Sequence, residues 1–256
     1  MPTAAALIIG NEILTGKVEE ANLTLLAREL FDLGIELERV VICPDDAAGI
    51  AADIRRLRDR FDYVITSGGV GPTHDDVTLK AVAHAFERPL VRSQELVAKI
   101  RQMVGERCTE GHLRMADVPE GADLVSTPEV PWPSVVMDNV YVLPGIPRIF
   151  RMKLPLLRDR LAAGRRFYSR AVYTMCRETD IAEMLDLVVA AHAEVEIGSY
   201  PVMDGDYRVK LTVDSRSRTA ADLAVEALVA ALPTDAVVRV EGGRSSSGAA
   251  AAAGSH

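Results

Sequence analysis

The sequence predicts an α/β fold in which helices cover both faces of a mainly parallel sheet, followed by a smaller α+β domain. The first third of the chain alternates strand and helix patterns in the order β-α-β-α-β-α, which is typical of a parallel sheet with crossover helices. Residues 4–9 (AAALII) are apolar throughout, as expected for a strand buried on both faces. Around residues 163–166 the composition shifts and a second pattern begins.

Hydrophobic spacing predicts the elements of the first domain. Apolar residues at helical spacing indicate a helix from Asn22 to Leu33, closed by Gly34. The later patterns, in order, are a strand at 35–43, a helix through 50–57, a strand at 62–66, a helix at 77–86, a helical stretch at 93–118 broken at Gly111, a hairpin at 135–143 and a helix opened by 144–147.

The predicted domain limits are 1–165 for the α/β domain and 166–240 for the α+β domain, with a disordered tail at 241–256. The tail is rich in Ser, Gly and Ala. The small domain is predicted from a strand, a helix, two strands and a helix, at 168–176, 179–191, 193–199, 207–214 and 219–231.

Composition and charge exclude several classes of partner. The 29 basic and 37 acidic residues give a net charge of −8, which argues against a nucleic-acid partner. No apolar stretch approaches the roughly 20 residues of a membrane span, so no membrane partner is expected. Cys43, Cys108 and Cys176 are far apart and form no C-x-x-C pair, which predicts neither a disulfide framework nor a zinc site and fits a cytoplasmic location.

Ligands of parallel sheets bind beyond the carboxyl ends of the strands. We therefore expect the segments 10–16 (GNEILTG), 44–46 (PDD) and 67–78 (SGGVGPTHDDVT) to meet at one edge of the sheet. In the last segment, glycines leave backbone amides open to an anion, and Thr73 with Asp76 match a capping box for the next helix. The alternative is a tight turn and a capped helix without a ligand.

Asp75 and Asp76 are unexpected beside a phosphate-binding turn. Two like charges about 4 Å apart repel by ~4 kcal/mol at an effective dielectric of ~20, whereas a helix terminus stabilises an anion by at most ~2 kcal/mol. A divalent cation between carboxylate and phosphate reverses the sign of the interaction, and Mg²⁺ is often held by one or two carboxylates plus substrate phosphates. The pair therefore predicts a metal ion that bridges to a phosphate.

Four other polar residues are candidates, each with a structural alternative. Asp46 is either a further carboxylate for the metal, a ribose hydroxyl or a water molecule, or a first-turn acid of the helix for which Asp45 is the expected N-cap. Lys80 is either a phosphate-binding residue or a surface i,i+4 partner of the preceding acid. Asn22 is either a ligand contact or a helix N-cap, and Glu12 either a ligand contact or a solvated acid. The segment from residue 10 has the wrong spacing for a Walker A motif.

Taken in order, the motifs GNEILxG, SGGVGPTHDDVT and LPGIP (143–147), with Asn22 and Asp46, resemble the molybdopterin-binding (MoaB/MogA-like) fold family. Within it, the sequence is similar to the N-terminal part of competence/damage-inducible protein A (CinA). IGSYP (197–201) and YRVKL (207–211) match the small domain that follows there. The resemblance implies a three-layer α/β/α molybdopterin-binding-like domain with a mixed sheet, a small α+β domain and commonly a homodimer.

The resemblance also implies a function and a site. CinA-type domains are similar to metal-dependent pyrophosphatases acting on ADP-ribose-like dinucleotides, the related domain of FAD synthases is linked to FAD hydrolysis, and other relatives bind molybdopterin or adenylylate it. By matching position, the metal ligands (Mg²⁺, Mn²⁺ or Co²⁺) would be Asp46, Asp75 and Asp76, which with Lys80 form the catalytic set. The phosphate- or nucleotide-binding residues would be Glu12, Asn22, Ser67, Gly68, Gly69, Gly71, Pro72, Thr73 and Gly145.

These observations predict a metal-dependent hydrolase of a nucleotide diphosphate, and the alternative is a molybdopterin carrier or adenylyltransferase. Two departures from the family pattern matter. The usual acidic-Thr-Asn sequence reads Glu20-Ala21-Asn22, so a contact from that Thr is not expected. The nicotinamide-nucleotide amidase domain of full-length CinA proteins is not matched within these residues, so deamidation is not expected either.

Overall fold

A six-stranded sheet forms the centre of the first of two units into which the chain divides, Met1–Gly164 and Arg165–His256. The computed structural model describes residues 2–127, 130–161 and 167–242. The strands of this unit are β1 (Thr3–Ile9), β2 (Glu36–Cys43), β3 (Tyr63–Ser67), β4 (Leu90–Arg92), β5 (Asp117–Pro119), β6 (Asp123–Thr127), β7 (Val130–Met137) and β8 (Val140–Leu143). The sheet order is β2-β1-β3-β8-β7-β6, while β4 and β5 form a separate antiparallel pair.

Helices follow most strands of this unit. They are α1 (Asn11–Leu14), α2 (Asn22–Asp32), α3 (Ala47–Arg58), α4 (Thr78–Ala85), α5 (Gln94–Val104), α6 (Glu110–Leu113), α7 (Pro147–Lys153) and α8 (Pro155–Arg160), with 3₁₀ turns at Gly105–Arg107 and Arg114–Ala116. The strands β2, β1, β3 and β8 run parallel to one another, and β7 runs antiparallel to both of its neighbours. The predicted mostly parallel, mixed sheet is confirmed.

Strand β1 shows why the domain has three layers. Its side chains alternate between the two faces of the sheet, as the pleat of a strand requires. Leu7 and Ile9 pack with buried residues of α3, α4 and α5, whereas Ala6 and Ile8 pack with those of α2, α7 and α8. Because both faces are covered, every residue from 4 to 9 is buried, which explains the continuous apolar run.

The region 93–118 differs from its predicted helical pattern. Gly105 adopts a φ of 62° at the C-cap of α5, so the helix ends there and not at Gly111. The rest of the region forms the short helix α6, two 3₁₀ turns and β5. The strands β4, β5 and β6 and the helix α1 were not predicted, whereas the hairpin β7–β8 turns at Asp138 and Asn139 as expected.

Lys153 is buried beneath the sheet without a carboxylate partner in the part of the chain that the structure describes. Its side chain lies 4% exposed at the end of α7. The ammonium group donates to the Trp132 carbonyl at 2.7 Å and to Ser134 Oγ at 3.0 Å. Burial disfavours the charged form, and it lowers the pKa of Lys153 from 10.5 to about 8.

The second unit is a small α+β domain. Its elements are β9 (Tyr168–Thr174), α9 (Glu178–Ala191), β10 (Glu196–Pro201), β11 (Val209–Ser215), α10 (Arg218–Ala231) and β12 (Val237–Gly242). The antiparallel sheet has the order β10-β11-β9-β12, and side chains such as Val172 and Leu211 pack against both helices. Strand β12 was not predicted, and its last two residues fall in the segment assigned to the tail; the rest of that tail lies outside the described residues. No helix in the described residues of either unit is long and apolar enough to span a membrane.

Candidate functional site

The parallel strands β1, β2, β3 and β8 end at one edge of the larger sheet. The segments at these strand ends are called the rim below, and they are 10–16, 44–46, 67–78 and 143–147. The Gly10 amide, just after β1, donates to the Cys43 carbonyl at the end of β2 at 3.1 Å. The Gly68 amide, just after β3, donates to the Leu143 carbonyl at the end of β8 at 3.2 Å. The rim therefore brings together the segments that the strand order predicted, and it lies where ligands of such sheets bind.

The turn after β3, residues 67–77 and called the glycine loop below, needs glycine at two positions. Gly68 has a φ of 109°, and a Cβ atom there would lie 2.1 Å from the Ile9 carbonyl oxygen. Gly69 has a φ of 63°, and its Cβ would lie 2.4 Å from Thr78 Oγ1. The Thr78 hydroxyl donates to the Gly68 carbonyl at 2.8 Å, which ties the loop to the start of α4. Any side chain at position 68 or 69 would therefore displace the backbone of the loop.

The glycine loop presents backbone donors that the protein itself does not use. Within the described residues, the amide groups of Gly69, Val70 and Gly71 have no hydrogen-bond acceptor. All three residues are partly exposed, so a ligand can approach them. Consecutive free amides of this kind make an anion-binding concavity. Pro72, the next residue, is exposed and has no amide proton to donate.

Thr73 and Asp76 are bonded to each other, although not as the predicted helix cap. The Thr73 amide donates to Asp76 Oδ2 at 2.8 Å, and its hydroxyl donates to the same oxygen. Helix α4 begins only at Thr78 with Val77 as its N-cap residue, so the expectation that Thr73 caps this helix is wrong. The pair instead closes the outer part of the glycine loop, because two donors hold one carboxylate oxygen across three residues.

Asp75 is an exposed carboxylate that stays ionised. Hydrogen bonding from Thr73, followed by that from its own backbone, holds the pKa of Asp75 below its usual value. The ring Nδ1 of the exposed His74 lies 4.0 Å from Asp75 Oδ1. The lowered pKa keeps Asp75 negatively charged and makes it a weaker base.

Asn22 connects the glycine loop to the segment after β8. Its Nδ2 donates to Ser67 Oγ at 2.9 Å and to the Gly145 carbonyl at 2.7 Å. Glu20 Oε1 accepts from the Asn22 amide at 3.0 Å and from the next amide, so the alternative of an Asn22 side-chain cap is not observed. The side chain is 4% exposed, and its Oδ1 has no partner among the described residues. Asn22 thus positions the loop from beneath.

The acids after β2 do not take the roles that we expected. Asp46 caps α3, accepting from the Ala48 and Gly49 amides at 3.3 and 2.9 Å. Asp45, the expected cap, instead accepts from the Asn11 amide at 2.8 Å and ties the segments after β1 and β2 together. The Glu12 carboxylate folds over Gly10, where a Cβ atom would lie 2.5 Å from Oε1, so its role as a ligand contact stays a prediction.

The predicted metal ligands are not gathered into one preformed site. Among the described residues, no group of three His, Cys, Asp or Glu side chains is gathered closely enough to hold a metal ion. The predicted ligands Asp46, Asp75 and Asp76 are therefore not a preformed cluster. Asp75 and Asp76 nevertheless offer two hard carboxylates beside free amides, and Mg²⁺ is commonly held by one or two carboxylates plus substrate phosphates. The chemistry of this pair fits a metal–phosphate unit, and the metal stays a prediction.

A cleft of about 300 Å³ opens beside the glycine loop. This cleft, the loop-side cleft, is lined by the glycine loop, the first turn of α4, β4, β5 and the 3₁₀ turn before β5. Outside the loop itself, the lining residues are Leu79, Lys80, Leu90, Arg114, Met115 and Asp117. Sequence reasoning missed those outside α4, because they come from short irregular segments without periodicity. No ion pair joins Lys80 to Asp76 in the described part of the chain, so the i,i+4 surface pair is not formed.

Both units of the chain are similar to known proteins. Residues 5–162 match the family model described as "Probable molybdopterin binding domain", and residues 166–241 match "FAD synthase, middle domain". A CinA-like protein of Myxococcus xanthus is 34% identical over 239 residues, covering 87% of this chain and 56% of that protein. A probable FAD synthase of Caenorhabditis elegans is 31% identical over 255 residues, covering 88% of this chain and 49% of that protein.

The chain therefore spans about half the length of these two relatives. Among solved structures, CinA from Thermoplasma acidophilum, described as being of unknown function, matches with a TM-score of 0.57 at 28% identity, covering 61% of this chain and 97% of that one. The family model alone covers more than half of the chain. On this evidence the chain belongs to the family of probable molybdopterin binding domains, MoaB/MogA-like in fold and related to CinA.

Proposed function

We propose that the protein is a metal-dependent nucleotide pyrophosphatase that hydrolyses an ADP-ribose-like or related dinucleotide diphosphate. One observation carries the proposal: free amides of the glycine loop and two carboxylates, Asp75 and Asp76, occupy the same short turn. The amides favour a phosphate and the carboxylates repel it. A divalent cation bound between the acids and the phosphate removes this conflict.

The residues of the chain take the following roles in this proposal. The amides of Gly69 and Gly71 donate to the phosphoryl oxygens of the diphosphate and stabilise the charge that builds on them. Asp75 and Asp76 hold the divalent ion, which when bound polarises a phosphoryl oxygen and lowers the pKa of a water molecule. Asp46 orients the attacking water, since each of its oxygens keeps a lone pair beyond the amide that it accepts.

The relatives support a nucleotide ligand. The match of residues 166–241 to the middle domain of FAD synthase, and the probable FAD synthase among the relatives, associate both parts of this chain with proteins that handle a dinucleotide. FAD, like ADP-ribose, contains a diphosphate between two organic groups. We also propose that the protein acts in the cytoplasm as a homodimer, and the free thiols of all three cysteines support the reducing location.

The second candidate is a molybdopterin carrier or adenylyltransferase. It is favoured by the description of the matching family as a probable molybdopterin binding domain. The pterin phosphate would use the same free amides of the glycine loop. A carrier does not require the two acids to hold a metal ion, and this difference separates the candidates.

The test is release of AMP from ADP-ribose or FAD, or of adenosine 3′,5′-bisphosphate from coenzyme A, in the presence of Mg²⁺, Mn²⁺ or Co²⁺. Wild-type protein is expected to release AMP only with metal, and Asp76→Asn is expected to lose this activity while remaining folded. Asp59→Asn, which changes an exposed acid at the far end of α3, is the control and should keep full activity. Absence of hydrolysis of all three substrates, together with tight binding of molybdopterin, would replace this function with the carrier.

A further inference from the structure

The loop-side cleft contains more than the proposed metal site uses. The glycine loop forms one wall, and Lys80 and Arg114 contribute cationic groups from α4 and from the 3₁₀ turn before β5. The cleft volume of about 300 Å³ lies at the lower end of the range for ligand pockets, which runs from ~300 to ~1,000 Å³. It lies wholly within the first unit.

The two cations of the cleft are not neutralised by the protein. Neither Lys80 nor Arg114 forms an ion pair with an acid in the residues that the structure describes. Lys80 also lies in the first turn of α4, where the helix dipole disfavours a cation. The arrangement therefore has no evident structural benefit, which indicates that the compensating negative charge comes from a ligand.

Two acids line the cleft: Asp76 belongs to the glycine loop and is one of the proposed metal ligands, and Asp117 is already paired. Both oxygens of Asp117 accept from the Arg92 guanidinium, at 2.8 and 3.0 Å, and the same guanidinium donates to Glu110 at 2.6 Å. These hydrogen bonds, the one with Asp117 first, raise the pKa of Arg92. Because Arg92 holds Asp117 in a bidentate pair, that carboxylate does not cancel the charge of Arg114.

The remaining wall of the cleft is apolar. Leu90 on β4 leaves 40% of its surface exposed, and Met115 follows Arg114 directly. Val77 and Leu79 complete this wall at the start of α4. Free amides and two cations beside exposed apolar side chains are complementary to a ligand that carries a phosphate next to a flat, weakly polar ring.

We infer that the loop-side cleft binds the nucleoside monophosphate half of the substrate, with the phosphate on Lys80 and Arg114 and the base against Leu90. The choice of a nucleotide rests on the proposed function, whereas the anion site rests on the cations and free amides alone. Arg114 is then a binding residue drawn from outside every motif of the sequence. It determines which end of an asymmetric dinucleotide faces the glycine loop.

The test is calorimetric titration of the full chain with AMP, inorganic phosphate and adenosine, each in Mg²⁺ and in EDTA; none of the three contains a diphosphate that the protein could hydrolyse. Arg114→Gln and Lys80→Gln are each expected to weaken AMP and phosphate binding by about tenfold or more, since each removes a charge-assisted contact. Arg28→Gln removes an exposed cation from α2, in the opposite helical layer, and should leave binding unchanged. Leu90→Ser should weaken AMP severalfold without affecting phosphate.

Wild-type protein that binds neither AMP nor phosphate in Mg²⁺, or an Arg114→Gln protein that binds both as wild type does, would overturn the inference. Equal affinity for AMP and phosphate would overturn the nucleoside part of it. The outcome is separable from the proposed function. If AMP binding depends on Arg114 but ADP-ribose is not hydrolysed, only the hydrolase proposal is wrong. If ADP-ribose is hydrolysed with metal but Arg114→Gln leaves AMP binding unchanged, only the assignment of the cleft is wrong.

Discussion

The substitution Gly68→Ala tests whether the backbone of the glycine loop is as constrained as the structure implies. Gly68 has a φ of 109°, and the added Cβ would meet the Ile9 carbonyl oxygen at 2.1 Å. Both groups are backbone, so the loop must move by more than an ångström to reach ordinary contact. That movement disrupts two hydrogen bonds: the Gly68 amide donates to the Leu143 carbonyl, and the Gly68 carbonyl accepts from the Thr78 hydroxyl.

The expected magnitude follows from these contacts. A side chain at positive φ costs ~1–2 kcal/mol, and each of the two hydrogen bonds contributes about 1 kcal/mol to stability. Gly68→Ala is therefore expected to lower the free energy of unfolding by about 3–4 kcal/mol. Gly121→Ala is the matched control, because Gly121 has a φ of 84° but nothing within 4 Å of its Cβ position. It should lose only ~1–2 kcal/mol.

Urea denaturation measures the free energy of unfolding of both variants. AMP affinity, measured where both variants are folded, tests whether the glycine loop keeps its binding conformation. Gly68→Ala is expected to bind AMP much more weakly than wild type, whereas Gly121→Ala should bind normally. The reasoning would be refuted if the two variants lost the same stability, or if Gly68→Ala retained wild-type affinity.

Three further predictions concern buried groups. Because burial lowers the pKa of Lys153 from 10.5 to about 8, the folded state releases its proton first, so the free energy of unfolding should rise between pH 8 and 10.5 by up to about 3 kcal/mol. Denaturation of Lys153→Met across this range should show no such rise, and a rise equal to that of wild type would contradict the assignment. Asn22→Asp should be less stable than Asn22→Ala in the same assay, because a carboxylate cannot donate to the Gly145 carbonyl and would repel it; the reverse order would contradict the contact. Burial, followed by the charge of Asp53, raises the pKa of the Cys43 thiol to about 12, so native protein at pH 8 should react with a thiol reagent only at the other two cysteines, as peptide mapping would show.

The sequence predicted the glycine loop well because its signals are local. Gly68 and Gly69 lie within a run of residues whose spacing alone indicates a turn, and the parallel strand order places that turn at the rim. The cap after β2 was assigned to Asp45 and is made by Asp46. Two adjacent aspartates satisfy the same pattern, and only the extended backbone at Asp46, with φ of −114° and ψ of 109°, selects between them.

The loop-side cleft was beyond the reach of sequence patterns. Arg114 lies more than thirty residues after the glycine loop, in a 3₁₀ turn between a short helix and a three-residue strand. Segments this short have no hydrophobic period. The pairing of β4 with β5 and the packing of α4 against β5 bring Arg114 and Lys80 to one cleft, and both are tertiary features.

Asp75 and Asp76 are expected to accept a diphosphate only when a divalent cation lies between their carboxylates and the phosphates. Calorimetric titration with the non-hydrolysable α,β-methylene analogue of ADP-ribose tests it directly, in Mg²⁺ and in EDTA, for wild type and for the double variant Asp75→Asn/Asp76→Asn. Wild type should bind much more tightly in Mg²⁺ than in EDTA. The double variant should lose this dependence and bind the analogue in EDTA more tightly than wild type does, since the repulsion is gone. Equal wild-type affinity in Mg²⁺ and EDTA, or metal dependence that survives in the double variant, would contradict the account.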